Sequence, residues 1–204
     1  LSYEQYKKGI DQQLQSSAAG LKNTIFYCEC LKKPIIKNTV FYEADNGSGL
    51  KGKPKSLFLN AVSDSSLTHI WSIESPDLLE EDLTYYEQTC NIRFVKRYSS
   101  EYYESLAVSQ YLVTDGYFTS TFVKREEQTL ICTGNDSAFT FSGYDKGIIN
   151  VDTEQFVERH YLQADYILSA NEQYQKTVLE SAYKLKNMYD GKIIQGVLSF
   201  HPSH

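Results

Sequence analysis

The sequence predicts a doubly wound α/β domain with a mainly parallel sheet, preceded by a helical segment. Two observations carry this. Short apolar runs rich in β-branched and aromatic residues recur after Pro34, and each pair is separated by a polar segment long enough for a helix. Strands that alternate with helices need crossover connections, which make the strands parallel and cover both faces of the sheet.

From Ser2 to about Lys33, the apolar positions Ile10, Leu14, Leu21, Ile25 and Phe26 fall at helical spacing in a polar background. Gly20 interrupts the pattern and Pro34 stops it, so residues 1–33 are expected to form one interrupted amphipathic helix or two short ones. The predicted strands are Thr39–Ala44, Thr68–Ile73, Ile92–Lys96, Tyr111–Thr114, Thr129–Thr133, Tyr166–Ser169 and Lys192–Val197. The predicted helices between them are Lys55–Val62, Leu78–Gln88, Glu101–Ser109, Thr153–Leu162 and Glu172–Lys184. Residues 34–204 are thus expected to form one domain, ending just past a strand in the manner of a cut at an interdomain linker.

Composition narrows the function. The 204 residues are 41% hydrophobic and 14% aromatic, enough for a substantial core, and a formal net charge of −6 argues against a surface that tracks nucleic acid. The four cysteines, Cys28, Cys30, Cys90 and Cys132, are too few and scattered for a disulfide scaffold and read as reduced thiols in a cytoplasmic protein. Neither they nor His69, His160, His201 and His204 show metal-ligand spacing, so no metal or cofactor is expected. No run reaches the length of a membrane span. Lys32, Lys33 and Lys37, beside the amphipathic start, could rest on an anionic bilayer surface.

In a parallel sheet the ligand crevice lies outside the carboxyl ends of the strands. That rule selects Asp45–Lys53, Asp115–Ser120, Gly134–Thr140, Ala170–Asn171 and Ser199–His204. Gly47-Ser48-Gly49-Leu50-Lys51-Gly52 is a literal G-x-G-x-x-G with Glu74 one strand later. Glu-Ala-Asp-Asn stands between the strand's apolar run and the first glycine, however, and Lys53-Pro54 places the helix start after its last, whereas a dinucleotide site opens the helix within the glycines. The loop reads instead as a flexible turn or as an anion-contacting loop carrying Lys51, Lys53 and Lys55. Lys124-Arg125-Glu126-Glu127 reads as a solvated charge cluster.

Three phrases occur in order in the second half: Tyr-Leu-Val-Thr-Asp-Gly at 111–116, Phe-Val-Lys-Arg-Glu-Glu-Gln at 122–128, and Tyr-Leu-Gln-Ala-Asp-Tyr-Ile-Leu-Ser at 161–169. This collinear set resembles the CDP-glycerol glycerophosphotransferase family of teichoic-acid biosynthesis. The resemblance implies a Rossmann-like domain forming the amino-terminal, acceptor-side half of a GT-B fold. It also implies a lipid-linked polyol-phosphate or glycan acceptor, CDP-glycerol or another nucleotide-activated donor held by a carboxyl-terminal half, and a place at the inner face of the cell membrane. The implied acceptor-binding residues are Asp45, Asn46, Gly47, Lys51, Lys53, Thr133, Gly134 and Ser137.

Where the family carries Trp-His-Gly-Thr-Pro after the fifth strand, this chain reads Gly134-Asn135-Asp136-Ser137-Ala138. Asn135 falls on the histidine, the family's general base. An amide nitrogen's lone pair is delocalised, so asparagine orients a hydroxyl without removing its proton. Either Asp136 supplies a base after a loop kink, or this half has lost catalysis. The alternatives in other classes are a noncatalytic module that binds polymer or a partner of a surface-polymer transferase, and a dinucleotide-binding enzyme.

Overall fold

The computed structural model describes residues 3–75, 83–134, 143–146 and 151–196. A single sheet runs through them in the order β3-β2-β1-β4-β5-β6-β7, and every adjacent pair is parallel. The strands are β1 (Ile36–Glu43), β2 (Thr68–Ile73), β3 (Ile92–Lys96), β4 (Ser109–Thr114), β5 (Thr129–Cys132), β6 (Tyr166–Ser169) and β7 (Lys192–Gln195). All seven predicted strands are present, and the fold is the Rossmann-like α/β arrangement expected.

The strand order reverses between β1 and β4, and the core divides accordingly. Alternate residues of one strand serve opposite faces because the side-chain period is two. Val40 and Tyr42 join Phe58 and Trp71 on one face, under α2 (Gly52–Ala61) and α3 (Leu83–Thr89). Phe41 joins Ile70, Leu112, Leu130 and Ile167 on the other, under α4 (Ser100–Val108) and α5 (Val151–Gln163). Strands β1 to β3 are laid down outward on one side of the switch and β4 to β7 on the other, with α4 crossing between them.

Three helices differ from the sequence reading. The first helix, α1 (Tyr3–Cys30), passes through Gly20 without a break. Gly20 has open space beside it, so the glycine weakens the helix by about 1 kcal/mol without supplying an alternative packing that would end it. The last turns of α1 dock on α4, where Cys30 is buried and the Tyr27 and Tyr103 rings lie 6.0 Å apart. Helix α2 opens at Gly52, three residues before its predicted start, because Pro54 sits in the first turn, where its missing N–H is no loss. The predicted helix Glu172–Lys184 is a short α6 (Glu172–Tyr174) that widens into a π-helix, Gln175–Ala182. The predicted helix start at Leu78 and the strand end at Val197 lie outside the described residues.

The Lys124–Gln128 cluster is a framework element and not a solvated loop. Lys124 Nζ donates to both Asp165 oxygens at 2.8 and 3.0 Å, and Asp165 Oδ2 accepts the Leu130 amide at 2.7 Å. Arg125 Nη1 reaches the Lys33 carbonyl at 2.7 Å, and buried Gln128 donates to the Leu106 and Ser109 carbonyls. Charges that face backbone carbonyls and a carboxylate are held where an unpaired charge would be expelled. Two of the three phrases that carry the family resemblance therefore knit the amino ends of β5 and β6 to α1 and α4.

His160 gives the fold an acid-sensitive point. It is buried, stacked on Phe122 at 5.0 Å, accepts the Phe118 amide at Nε2 (3.0 Å) and donates from Nδ1 to the Phe156 carbonyl (2.9 Å). Burial pulls its pKa down to about 4, so the unfolded chain takes up a proton at higher pH than the folded one. Its contribution is complete above the ordinary histidine range of about 6.5 and is lost as pH falls towards 4, by about 2–3 kcal/mol. Urea midpoints measured against pH are expected to fall through this window in the wild type and to flatten in His160→Gln.

Candidate functional site

The carboxyl edge of the sheet is built around the switch between β1 and β4, the place where a doubly wound sheet leaves a crevice. Directly after β1, Ala44 leads into a single 3₁₀ turn, Asp45–Gly47, in which all three residues have positive φ (43°, 56° and 83°). Asn and Asp tolerate this region better than most residues, and glycine takes it freely. Gly47 is required for a second reason: a Cβ there would stand 3.0 Å from Arg97 Cδ and 3.1 Å from the Glu74 nitrogen. The Gly47 carbonyl accepts the Glu74 amide at 2.8 Å, fixing the turn to the end of β2.

Across the switch, the loop after β4 supplies Asp115. Its Oδ1 accepts the Asp45 amide at 2.7 Å, so the two strand ends are tied by one charge-assisted hydrogen bond. A cleft of about 330 Å³ opens here, lined by Asp45, Asn46, Lys51, Gly52, Asp115 and Gly116. Its two carboxylates differ. The Lys51 ammonium, 2.5 Å from Asp45 Oδ2, holds the Asp45 carboxyl below the usual range with help from the Ser48 hydroxyl. Burial raises Asp115, and the Asp45 amide offsets this only in part.

Lys53 points elsewhere. It is buried, and its ammonium donates to the Thr133 carbonyl at 2.9 Å, reaching under the rim from α2 to the end of β5. Thr133 in turn extends the β4–β5 pairing through its amide to the Thr114 carbonyl at 2.8 Å. Gly134 follows with φ +63°, and a Cβ there would lie 3.2 Å from the Tyr174 hydroxyl. The structure therefore brings Asp45, Asn46 and Lys51 to one cleft, leaves Gly47 behind it against Arg97 and Glu74, and sets Thr133 and Gly134 at the adjacent strand end with Lys53 between. Asn135, Asp136 and Ser137 lie outside the described residues.

Lys32, Lys33 and Lys37 are exposed at the amino end of β1, opposite the rim. Lys32 pairs with Glu29 and Lys33 with Glu104, at 2.8 and 2.6 Å. No helix among the described residues is long and apolar enough to cross a membrane, and among them no cluster of metal-ligating side chains occurs. All four cysteines are free.

Two features of the site were not read from sequence. Asp115 was visible only as one residue of a post-strand segment. The second is a buried ion pair beneath the rim, Arg97 Nη2 to Glu43 Oε1 at 3.1 Å, with the Ser72 hydroxyl on Glu43 Oε2 at 2.9 Å. Burial lifts the Glu43 carboxyl above its ordinary range, with Arg97 and Ser72 opposing.

Comparison with known proteins agrees with the fold. A structure of the wall teichoic acid polymerase TagF superposes with a TM-score of 0.72 at 17% identity, covering 97% of this chain and 48% of that one. Its H444N variant gives 0.69 at 18%, covering 95% and 47%, and its H548A variant 0.66 at 18% with the same coverage. This chain thus spans about half the length of those polymerases, and at such identity the likeness shows the fold. No curated protein matches. The family model for CDP-glycerol:poly(glycerophosphate) glycerophosphotransferase matches residues 25–194, from the end of α1 through six crossovers to β7. A match that runs through the whole sheet and includes both sides of the switch-point cleft settles the kinship: the chain belongs to the CDP-glycerol:poly(glycerophosphate) glycerophosphotransferase family.

Proposed function

We propose that this chain is the acceptor-binding domain of a teichoic-acid-type glycerophosphotransferase, the amino-terminal half of a GT-B enzyme. The observation that carries the proposal is a family match over residues 25–194 in a chain that spans only 47–48% of the polymerases it resembles. One Rossmann-like layer offers one wall of a transfer site. The rim at Asp45–Lys53, Thr133 and Gly134, together with Ser137, binds a polyol-phosphate or glycan acceptor, with Lys51 near its phosphates. CDP-glycerol or a similar activated donor binds a second half. A structure of the H444N polymerase variant soaked with CDPG shows that the related polymerase has been examined with such a ligand.

Asn135, at the position of the family's histidine, orients the acceptor hydroxyl and cannot take its proton; Asp136 follows it in sequence. Without a donor half, the water-excluding cleft and the groups for the donor phosphates are missing, and positioning and electrostatics supply most of the rate in phosphoryl transfer. The chain alone therefore transfers negligibly. It works at the cytoplasmic face of the membrane. The lysines at residues 32, 33 and 37 are one end of the sheet away from the rim, roughly 25 Å at ~3.3 Å per strand residue, so a domain resting on them would hold its cleft above the headgroups.

Calorimetric titration with a lipid-linked glycerol-phosphate primer and with CDP-glycerol tests this. The primer is expected to bind and CDP-glycerol is not. Mixing both with the chain is expected to release no CMP, and Asn135→His is expected to leave that unchanged. Failure of the primer to bind would remove the acceptor-domain reading and favour a module that binds a protein partner.

A further inference from the structure

Transfer to an alcohol requires a group that holds the hydroxyl and accepts its proton as the new bond to phosphorus forms. Of the two carboxylates lining the switch-point cleft, Asp45 is already engaged by Lys51 and by the Ser48 hydroxyl at 2.9 Å. Lys51 is a cation and has no lone pair to offer while charged. Asp115 differs from both. One of its oxygens is fixed by the Asp45 amide, which sets the plane of the carboxyl group. The other, Oδ2, lies 3.2 Å from where a Cβ would stand on Gly52, so the missing side chain keeps that oxygen open to the cleft. The cleft's volume of about 330 Å³ lies at the small end of the ligand-site range, suited to a single glyceryl unit and not to a nucleotide.

We infer that Asp115 is the acceptor-hydroxyl ligand of this domain, taking a hydrogen bond from the terminal alcohol of a polyol phosphate and, once a donor is in line, the proton of that alcohol. The inference rests on the acceptor-domain reading above and replaces Asp136 with Asp115 as the proton acceptor. In the step itself, the acceptor O–H bond breaks and its proton passes to Asp115 Oδ2. The acceptor oxygen forms a bond to the alditol-bearing phosphorus of a nucleotide-diphosphate alditol. The bond from that phosphorus to the oxygen of the nucleoside monophosphate breaks, and the electron pair leaves with the nucleotide. Burial supports this chemistry by raising the basicity of Asp115 above that of an ordinary aspartate, whereas Lys51 lowers that of its neighbour. Asp45 and Lys51 are the charged groups that face Asp115, and they oppose each other in its titration.

The test is calorimetric binding of glycerophosphoglycerol, a diester whose own charge does not change in mildly acidic solution, to the whole chain at a series of pH values. Wild-type affinity is expected to fall as pH drops and Asp115 takes up a proton, since the hydroxyl donates best to the ionised form. Asp115→Asn keeps an oxygen for the Asp45 amide but loses the charge; it is expected to bind about tenfold more weakly at neutral pH, the effect of one hydrogen bond to a charged group, and to lose the pH dependence. Unchanged affinity and pH dependence in Asp115→Asn would overturn this inference and leave the acceptor reading standing. Absence of wild-type binding to both this diester and the longer primer would overturn both. Should the variant not fold, carboxyl-carbon NMR of the wild type decides: the Asp115 pKa is expected to fall on saturation with the diester, and an unmoved value overturns the inference.

Discussion

Arg97→Met is expected to cost about 3–5 kcal/mol, the loss that follows when one member of a buried ion pair is removed and the other is left without compensation. Both side chains of the Arg97–Glu43 pair are almost completely buried, at 6% and 1% exposure, so solvent cannot replace the lost partner. The guanidinium does more than neutralise Glu43. It lies 4.5 Å from the Tyr98 ring centroid, approaches the Phe118 carbonyl at 3.4 Å, and its side chain fills the space left by Gly47. One residue thereby joins the ends of β1 and β3, the turn after β1 and the loop after β4, which are the segments that shape the cleft. Denaturant midpoints should show the loss directly. Glu43→Gln combined with Arg97→Met should recover a large part of it, because a neutral amide can still accept from Ser72 and leaves no buried charge. A loss below about 1 kcal/mol in the single variant would mean that the pair is as weak as a surface bridge and that the rim is held otherwise.

How much of this was legible in the sequence follows from what sequence patterns encode. The seven strands could be read because buried parallel strands are short runs of β-branched and aromatic residues, as in Thr68–Ile73, and the sheet's central strands obey that rule. Helix ends were misplaced where a single residue has two meanings: Pro54 looks like a barrier before a helix and is in fact accommodated in the first turn. The π-helix could not be read, because an α- and a π-turn present the same apolar residues in slightly different register. Charged residues were the hardest. Lys124 and Arg125 look solvated until the carbonyls and the carboxylate that receive them are known, and these lie as far away in sequence as Lys33 and Asp165. Asp115 and Glu43 are the same case at the other end of the sheet. A post-strand aspartate is common, and its significance comes from the neighbour that the strand order sets beside it.

Gly134 and Gly143 both take left-handed backbone, and Gly143→Ala is expected to cost about 2–5 kcal/mol: an alanine at φ +56° is strained, and forced overpacking adds to it. A Cβ on Gly143 would stand 2.5 Å from the Ala182 carbonyl oxygen and 2.8 Å from its carbon, both of them backbone atoms of the π-helix that cannot swing aside. Gly134 rests above Tyr174, at the last residue of α6 just before that π-helix begins. Both glycines therefore pack against the helical run that leads from α6 into the π-helix, whereas the switch-point cleft is tied separately through Asp115 and Asp45. Gly143→Ala should consequently lower the denaturant midpoint while leaving the binding of glycerophosphoglycerol, which needs only the cleft, nearly unchanged. A matching loss of diester binding would mean that the substitution had damaged the sheet itself.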